Sequence, residues 1–178
     1  MKQPKRSLAA IGLACATLCC ASSALAQAAP EITAQTLIDR AKIEDMLTRY
    51  MTELGHSTLE GYVAYYTDDA ELVMGGKSVK GRAAILDDYK AIRAAGGSLR
   101  AKAYAFNTLL SNPLIVVHGD RATVQLTFTE VITDTEKSAP RPLVQGREYD
   151  ELARVNGKWL FRKRQVVSGR AGPVDWRP

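Results

Sequence analysis

The spacing of apolar residues changes once along this chain, near residue 100, and that change decides what the chain can fold into. Ahead of it Leu37, Ile38, Ala41, Ile43, Met46, Leu47 and Tyr50 recur close to the helical interval with charges between them, which predicts an amphipathic helix ended by Gly55. Leu59, Tyr62, Val63 and Tyr66 predict a second helix, closed by Thr67-Asp68-Asp69 as a turn, and Ala70 to Met74 a short strand before the turn signal Gly75-Gly76. A third helix carries Ile85, Leu86, Tyr89 and Ile92 between Gly81 and Gly96-Gly97. Beyond it, 101–110, 114–117, 123–132, 147–155 and 159–167 read as extended segments. Ser111-Asn112-Pro113 predicts a bulge, because proline removes a ladder donor, while His118-Gly119-Asp120 and Val155-Asn156-Gly157-Lys158 predict hairpin turns. A polar loop is expected from Thr133 to Leu143. Helices first and an antiparallel meander after them make an α+β domain, with the helices on one face of a curved sheet.

The first 26 residues stand apart. They open with Lys2, Lys5 and Arg6, run apolar from Leu8 to Cys20 and end on Ala24-Leu25-Ala26, the small-x-small pattern of a cleaved secretion signal. Gln27 is then the expected first residue of a periplasmic or secreted protein. The apolar run is shorter than the about 20 residues that span a bilayer, so no stable membrane insertion is expected after removal. Residues 27–36 read as a lead, 37–170 as one domain and 171–178 as a tail. Cys15, Cys19 and Cys20 all leave with the signal, and the mature domain has neither disulfides nor thiol chemistry. Three of the 24 basic residues and none of the 19 acidic ones leave as well, so the formal charge of +5 falls to +2 and nucleic-acid binding loses its main support. Arg162-Lys163-Arg164 remains on an alternating strand and reads as a solvated edge rather than a phosphate track.

Leu37-Ile38-Asp39-Arg40-Ala41-Lys42-Ile43-Glu44-Asp45 with Arg49-Tyr50, then Tyr65-Tyr66-Thr67-Asp68-Asp69-Ala70, then Gly81-Arg82-Ala83-Ala84-Ile85 resemble the N-terminal half of SnoaL-like proteins of the nuclear transport factor 2-like superfamily. Ser111-Asn112-Pro113, Val117 to Ala122, Gly146 to Leu152, Asn156-Gly157-Lys158-Trp159 and Arg162 to Arg164 resemble its strand pairs in the same order. The resemblance implies a cone-shaped α+β barrel, a strongly bent sheet wrapped around helices with a pocket at the wide end, often dimeric through the sheet. It does not fix an activity, because one fold hosts dehydratases, isomerases, cyclases and binders. Many catalytic relatives carry an aspartate where this chain has Gly55 and a histidine where it has Thr108.

Other ionisable groups stand near those positions. His56 follows Gly55 and is either a general base or an exposed loop histidine. Alternation along Val124, Leu126, Phe128 and Glu130 puts a carboxylate on an apolar row, where it either acts as acid or base or turns outward to pair with an arginine. Glu148 and Asp150 share one face of their strand, and Tyr149 takes the other. Tyr50 and Asn107 are candidate donors to an oxygen that gains charge. Tyr62, Tyr66, Phe128, Glu148 and Trp159 complete the expected substrate-binding set, around one apolar cavity lined by Tyr50 and Tyr66 and floored by Phe128.

Two well-separated histidines and no mature cysteine make a metal site unexpected, and no phosphate-cradling loop, nucleophile elbow or dinucleotide fingerprint implies a cofactor. The expected partner is a small molecule. Two functions remain open: a cofactor-independent lyase or isomerase of the dehydratase kind, acting on a small apolar, aromatic or polycyclic molecule, and a non-catalytic ligand-binding or interaction module.

Overall fold

The computed structural model describes residues 32–53, 58–95 and 102–169. In chain order they form α1 (Ala34–Glu53), α2 (Leu59–Val63), β1 (Tyr66–Met74), β2 (Lys77–Lys80), α3 (Arg82–Ala94), β3 (Ala105–His118), β4 (Arg121–Thr133), β5 (Arg141–Val155) and β6 (Lys158–Ser168). The strands make one curved sheet in the order β2-β1-β6-β5-β4-β3, antiparallel except where β1 runs parallel to β6. The α+β class expected from the sequence is the one observed. Residues Gly119 and Asn156-Gly157 have positive φ, the twist that a two-residue hairpin needs, and they fold β3 to β6 into a meander.

The helix α1 begins with a reciprocal cap: the Thr36 N–H donates to Thr33 Oγ1 (3.1 Å) and the Thr33 N–H to Thr36 Oγ1 (2.8 Å). Its buried stripe is Ile43, Met46, Leu47, Tyr50 and Met51, while Leu37 and Ile38 stay exposed. One turn into α1 the buried Asp39 accepts from Gln35 Nε2 and Arg154 Nη1, each at 2.9 Å, and Arg154 Nε donates to Asp120 Oδ1 at 2.7 Å. The Arg154 guanidinium lies 5.1 Å over the Trp159 ring. Two hairpin ends are thereby tied to the start of α1, which sets the angle at which Tyr50 reaches the sheet.

Four expectations need correction. Tyr66 and Thr67-Asp68-Asp69 are strand rather than helix and turn, because Tyr66 pairs with Phe161; the two exposed aspartates fall where the β1–β6 register shifts, between Tyr66 and Glu71. The first long strand starts at Ala105, not 101, and runs through Ser111-Asn112-Pro113 as one element with the expected bulge, Asn112 taking φ 52°. The polar loop ends earlier than Leu143, since β5 begins at Arg141 and a second register shift accommodates Pro142 opposite Val131. Finally, Arg162-Lys163-Arg164 is no solvated edge: β6 lies inside the sheet between β1 and β5, and Arg164 is buried.

Candidate functional site

Pairing register sorts the helix-facing side of the sheet into rows. Thr108, Glu130 and Val144 form one; Leu110, Phe128 and Gly146 the next; then Leu126, Glu148, Val166 and Met74; then Val124, Asp150, Arg164 and Leu72. The alternation expected for β4 is observed, with Glu130 4% exposed at the end of the row Val124, Leu126, Phe128. Phe128 can lie flat because its neighbour is Gly146, where a Cβ would come within 2.5 Å of the ring and 2.4 Å of the Val167 carbonyl oxygen. Around these two residues Thr108, Leu110, Val144, Val166 and Met74 are half-buried.

Deeper in the sheet the polar groups converge. The Arg164 guanidinium makes a bidentate pair with Glu148, through Nε to Oε2 at 3.0 Å and through Nη2 to Oε1, and donates from Nη1 to the Tyr50 hydroxyl at 3.1 Å. The Tyr50 hydroxyl meets that of Tyr66 at 2.8 Å, and Tyr89 approaches both, at 3.4 Å and 3.3 Å. Tyr62 stacks on Tyr50 with centroids 4.3 Å apart. Burial pushes the Tyr50, Tyr62 and Tyr66 hydroxyls well above the usual phenol range, against the opposing pull of Arg164, so all three stay protonated.

Asp150 stands directly across from Arg164, buried, with no described side chain hydrogen-bonded to its carboxyl and only the Gln165 backbone N–H close to it. Burial, then the neighbouring Glu148 charge, pushes its carboxyl well above the usual carboxylate range, against the opposing pull of Arg164. A carboxyl whose affinity for protons is raised by folding adds most stability below its unfolded value near 3.8 and loses it as pH rises toward the folded value. Asp150→Asn should therefore match wild type at acid pH and grow more stable than it as pH increases to 8. Urea unfolding midpoints across that range measure the difference, and a constant offset would exclude the linkage.

The structure brings Tyr50, Tyr62, Tyr66 and Glu148 together and sets Phe128 one row away, with Glu130 beyond it. Asn107 is exposed on the opposite face. Trp159 is buried at the Arg154 end, away from Glu130. His56 and Gly55 lie outside the described residues. The cavity expected between Tyr50, Tyr66 and Phe128 is corrected too: Tyr50 and Tyr66 are 0% exposed because their hydroxyls close on each other and on Arg164. Among the described residues a groove of about 500 Å³ runs between α2 and α3, lined by Thr58, Leu59, Glu60, Lys90, Arg93 and Ala94. Sequence reasoning passed over Arg164 and Tyr89 as site residues.

A sequence profile of the SnoaL-like domain matches residues 35–165. Among solved structures, a provisionally named scytalone dehydratase from Novosphingobium aromaticivorans is 21% identical with TM-score 0.62, covering 77% of this chain and 88% of its own. A Nostoc punctiforme protein of unknown function with a cystatin-like fold is 23% identical with TM-score 0.63, covering 80% and 98%. A Catenulispora acidiphila protein in complex with S-DNPA is 17% identical with TM-score 0.62, covering 75% and 96%. No curated protein matches the chain in sequence.

Proposed function

The chain belongs to the SnoaL-like family of the nuclear transport factor 2-like superfamily, and from that premise we propose that it is an exported, cofactor-free lyase or isomerase of the dehydratase kind, acting on a fused-ring molecule. One observation carries the reading. Glu130 stands directly across the β3–β4 ladder from Thr108, the position where many catalytic relatives carry a histidine. A proton-accepting group thus reaches much the same place from the neighbouring strand.

The rows also set the substrate's size. From Glu130 to the level of Leu126 and Glu148 is four residues of β4, about 13 Å at the usual rise per strand residue. A fused-ring body laid over Phe128 matches that backbone spacing better than a single ring does. In this scheme Glu130 takes a proton from carbon at one end, and the charge that develops on an oxygen at the other end is met by the protonated Tyr66 and Tyr50 hydroxyls once Tyr89 has moved off them, Tyr50 being polarised by Arg164. The scytalone dehydratase name and the S-DNPA complex among the similar structures support a small-molecule pocket on this fold.

The alternative, a ligand-binding module without turnover, is favoured by the mutual satisfaction of Arg164, Glu148 and Tyr50. One experiment serves both. Protein recovered from the periplasm, expected to begin at Gln27, is screened by thermal shift against single-ring and fused-ring phenols and ketones. A ligand at 100 times its dissociation constant should add about 2.7 kcal/mol, roughly 5–10 °C for a domain of this size. Fused-ring hits that are converted establish the enzyme, hits without conversion establish the binder, and a cytoplasmic full-length chain with no hits removes the proposal.

A further inference from the structure

The three tyrosine hydroxyls are not equivalent. Tyr50 and Tyr66 are fully buried and 2.8 Å apart, on α1 and β1, and Tyr50 is further fixed by Arg164. Tyr89 is half-buried on α3 and reaches the same two oxygens at 3.4 Å and 3.3 Å, the long end of the hydrogen-bond range. Its ring stands edge-on to Tyr62, with centroids 5.3 Å apart. A phenol oxygen on an aromatic ring is thus presented to a fixed pair of hydroxyls by a half-buried residue of α3.

The helix α3 buries little of itself. Of its residues only Ile85 is buried, and its cap, Gly81, makes no side-chain hydrogen bond. Besides Ile85, the half-buried Leu86 and Tyr89 pack against the core, and the remaining ties are ion pairs with exposed members, Arg82 to Asp68, Lys77 to Asp88 and Lys90 to Glu60, which contribute little. The α2–α3 groove lies alongside the Tyr62–Tyr89 contact: Leu59 is one turn before Tyr62, and Arg93 one turn after Tyr89 on the same helix face.

We propose that the Tyr89 hydroxyl occupies the place of a ligand's phenolic oxygen, and that a hydroxylated aromatic ligand entering along the α2–α3 groove displaces it to bond Tyr50 and Tyr66. The proposal rests on the reading that this side of the sheet takes a fused-ring molecule, and it adds the group that ligand presents and the side chain that competes with it. A hydroxyl can both donate and accept, like the Tyr89 phenol it would replace, which makes it a closer replacement than a carbonyl oxygen.

The test uses the mature protein with 2-naphthol and 2-methylnaphthalene as probes, measured by calorimetry and stopped-flow fluorescence. Tyr89→Phe keeps the ring and removes the competing oxygen, so 2-naphthol should bind about three- to tenfold more tightly than to wild type, the range that one or two net hydrogen bonds allow. The preference for 2-naphthol over 2-methylnaphthalene should persist in Tyr89→Phe and disappear in Tyr66→Phe. Ala94→Trp, at an exposed position of the groove, should slow association severalfold. Unchanged or weaker binding of 2-naphthol by Tyr89→Phe, equal binding of the two probes, no binding of either by wild type and variant alike, or an unaltered association rate in Ala94→Trp would each overturn it. A screening compound that binds wild type but ignores Tyr89→Phe would remove this displacement alone and leave the broader proposal standing.

Discussion

Arg164→Met should lower the melting temperature by roughly 10 °C or more, an unusually large effect for one exchange in a strand. The guanidinium is the only charge compensating Glu148 among the hydrogen bonds and ion pairs described, and Glu148 is 1% exposed. Removing one partner of a buried pair leaves the other charged and dry, which costs about 3–5 kcal/mol. A domain of this size loses about 2–4 °C for each kcal/mol. The pair is not itself expected to be a large net source of stability, because desolvation offsets much of the attraction. The double exchange Arg164→Met with Glu148→Leu should therefore regain most of the loss. Thermal unfolding by circular dichroism of the three variants measures this, and a single variant melting within 2 °C of wild type would mean that water already reaches Glu148.

The second large effect is kinetic. Once a substrate is in hand, Glu130→Gln should reduce turnover by about 100- to 10,000-fold while leaving fold and ligand affinity nearly unchanged, since the two side chains share a shape and only one accepts a proton. If Glu130 instead anchors a cation, the same exchange lowers the melting temperature and leaves activity within a small factor of wild type. Melting temperature and turnover measured on this one variant separate the roles, and lost stability with retained activity takes Glu130 out of the mechanism.

The α+β class and the burial of Glu130 were legible in the sequence because both rest on local periodicity. What escaped depends on register and on distant pairing. Asn107 was placed among the donors, yet it faces outward: β3 and β4 pair Val117 with Ala122 near the turn, but beyond the bulge at Asn112-Pro113 the register has moved by one residue. One residue exchanges the two faces of a strand, so Thr108 takes the inward position beside Glu130 and Asn107 the outward one. The bulge was foreseen; its consequence four residues away was not. Arg164 was missed for a different reason. A basic run on the last strand looks solvated unless that strand is known to be internal, and its inner neighbour is β1, from the other end of the domain. Counting back from the Asn156-Gly157 turn in regular register sets Arg164 opposite Tyr149; only the register shift between Glu151 and Leu152 brings it opposite Asp150 and beside Glu148, and no proline or glycine marks that shift in the sequence.

The parallel contact between β1 and β6 also bears on how the chain comes together in time. Until residues 158–168 have left the ribosome, β1 has only the four-residue β2 to pair with, and the sheet that supports α1 has a gap at its centre. Contacts of such long sequence separation form late and slowly, because the intervening loop must be closed before they reward it. The N-terminal half therefore stays without its final partner until β6 has been made and has folded back onto β1.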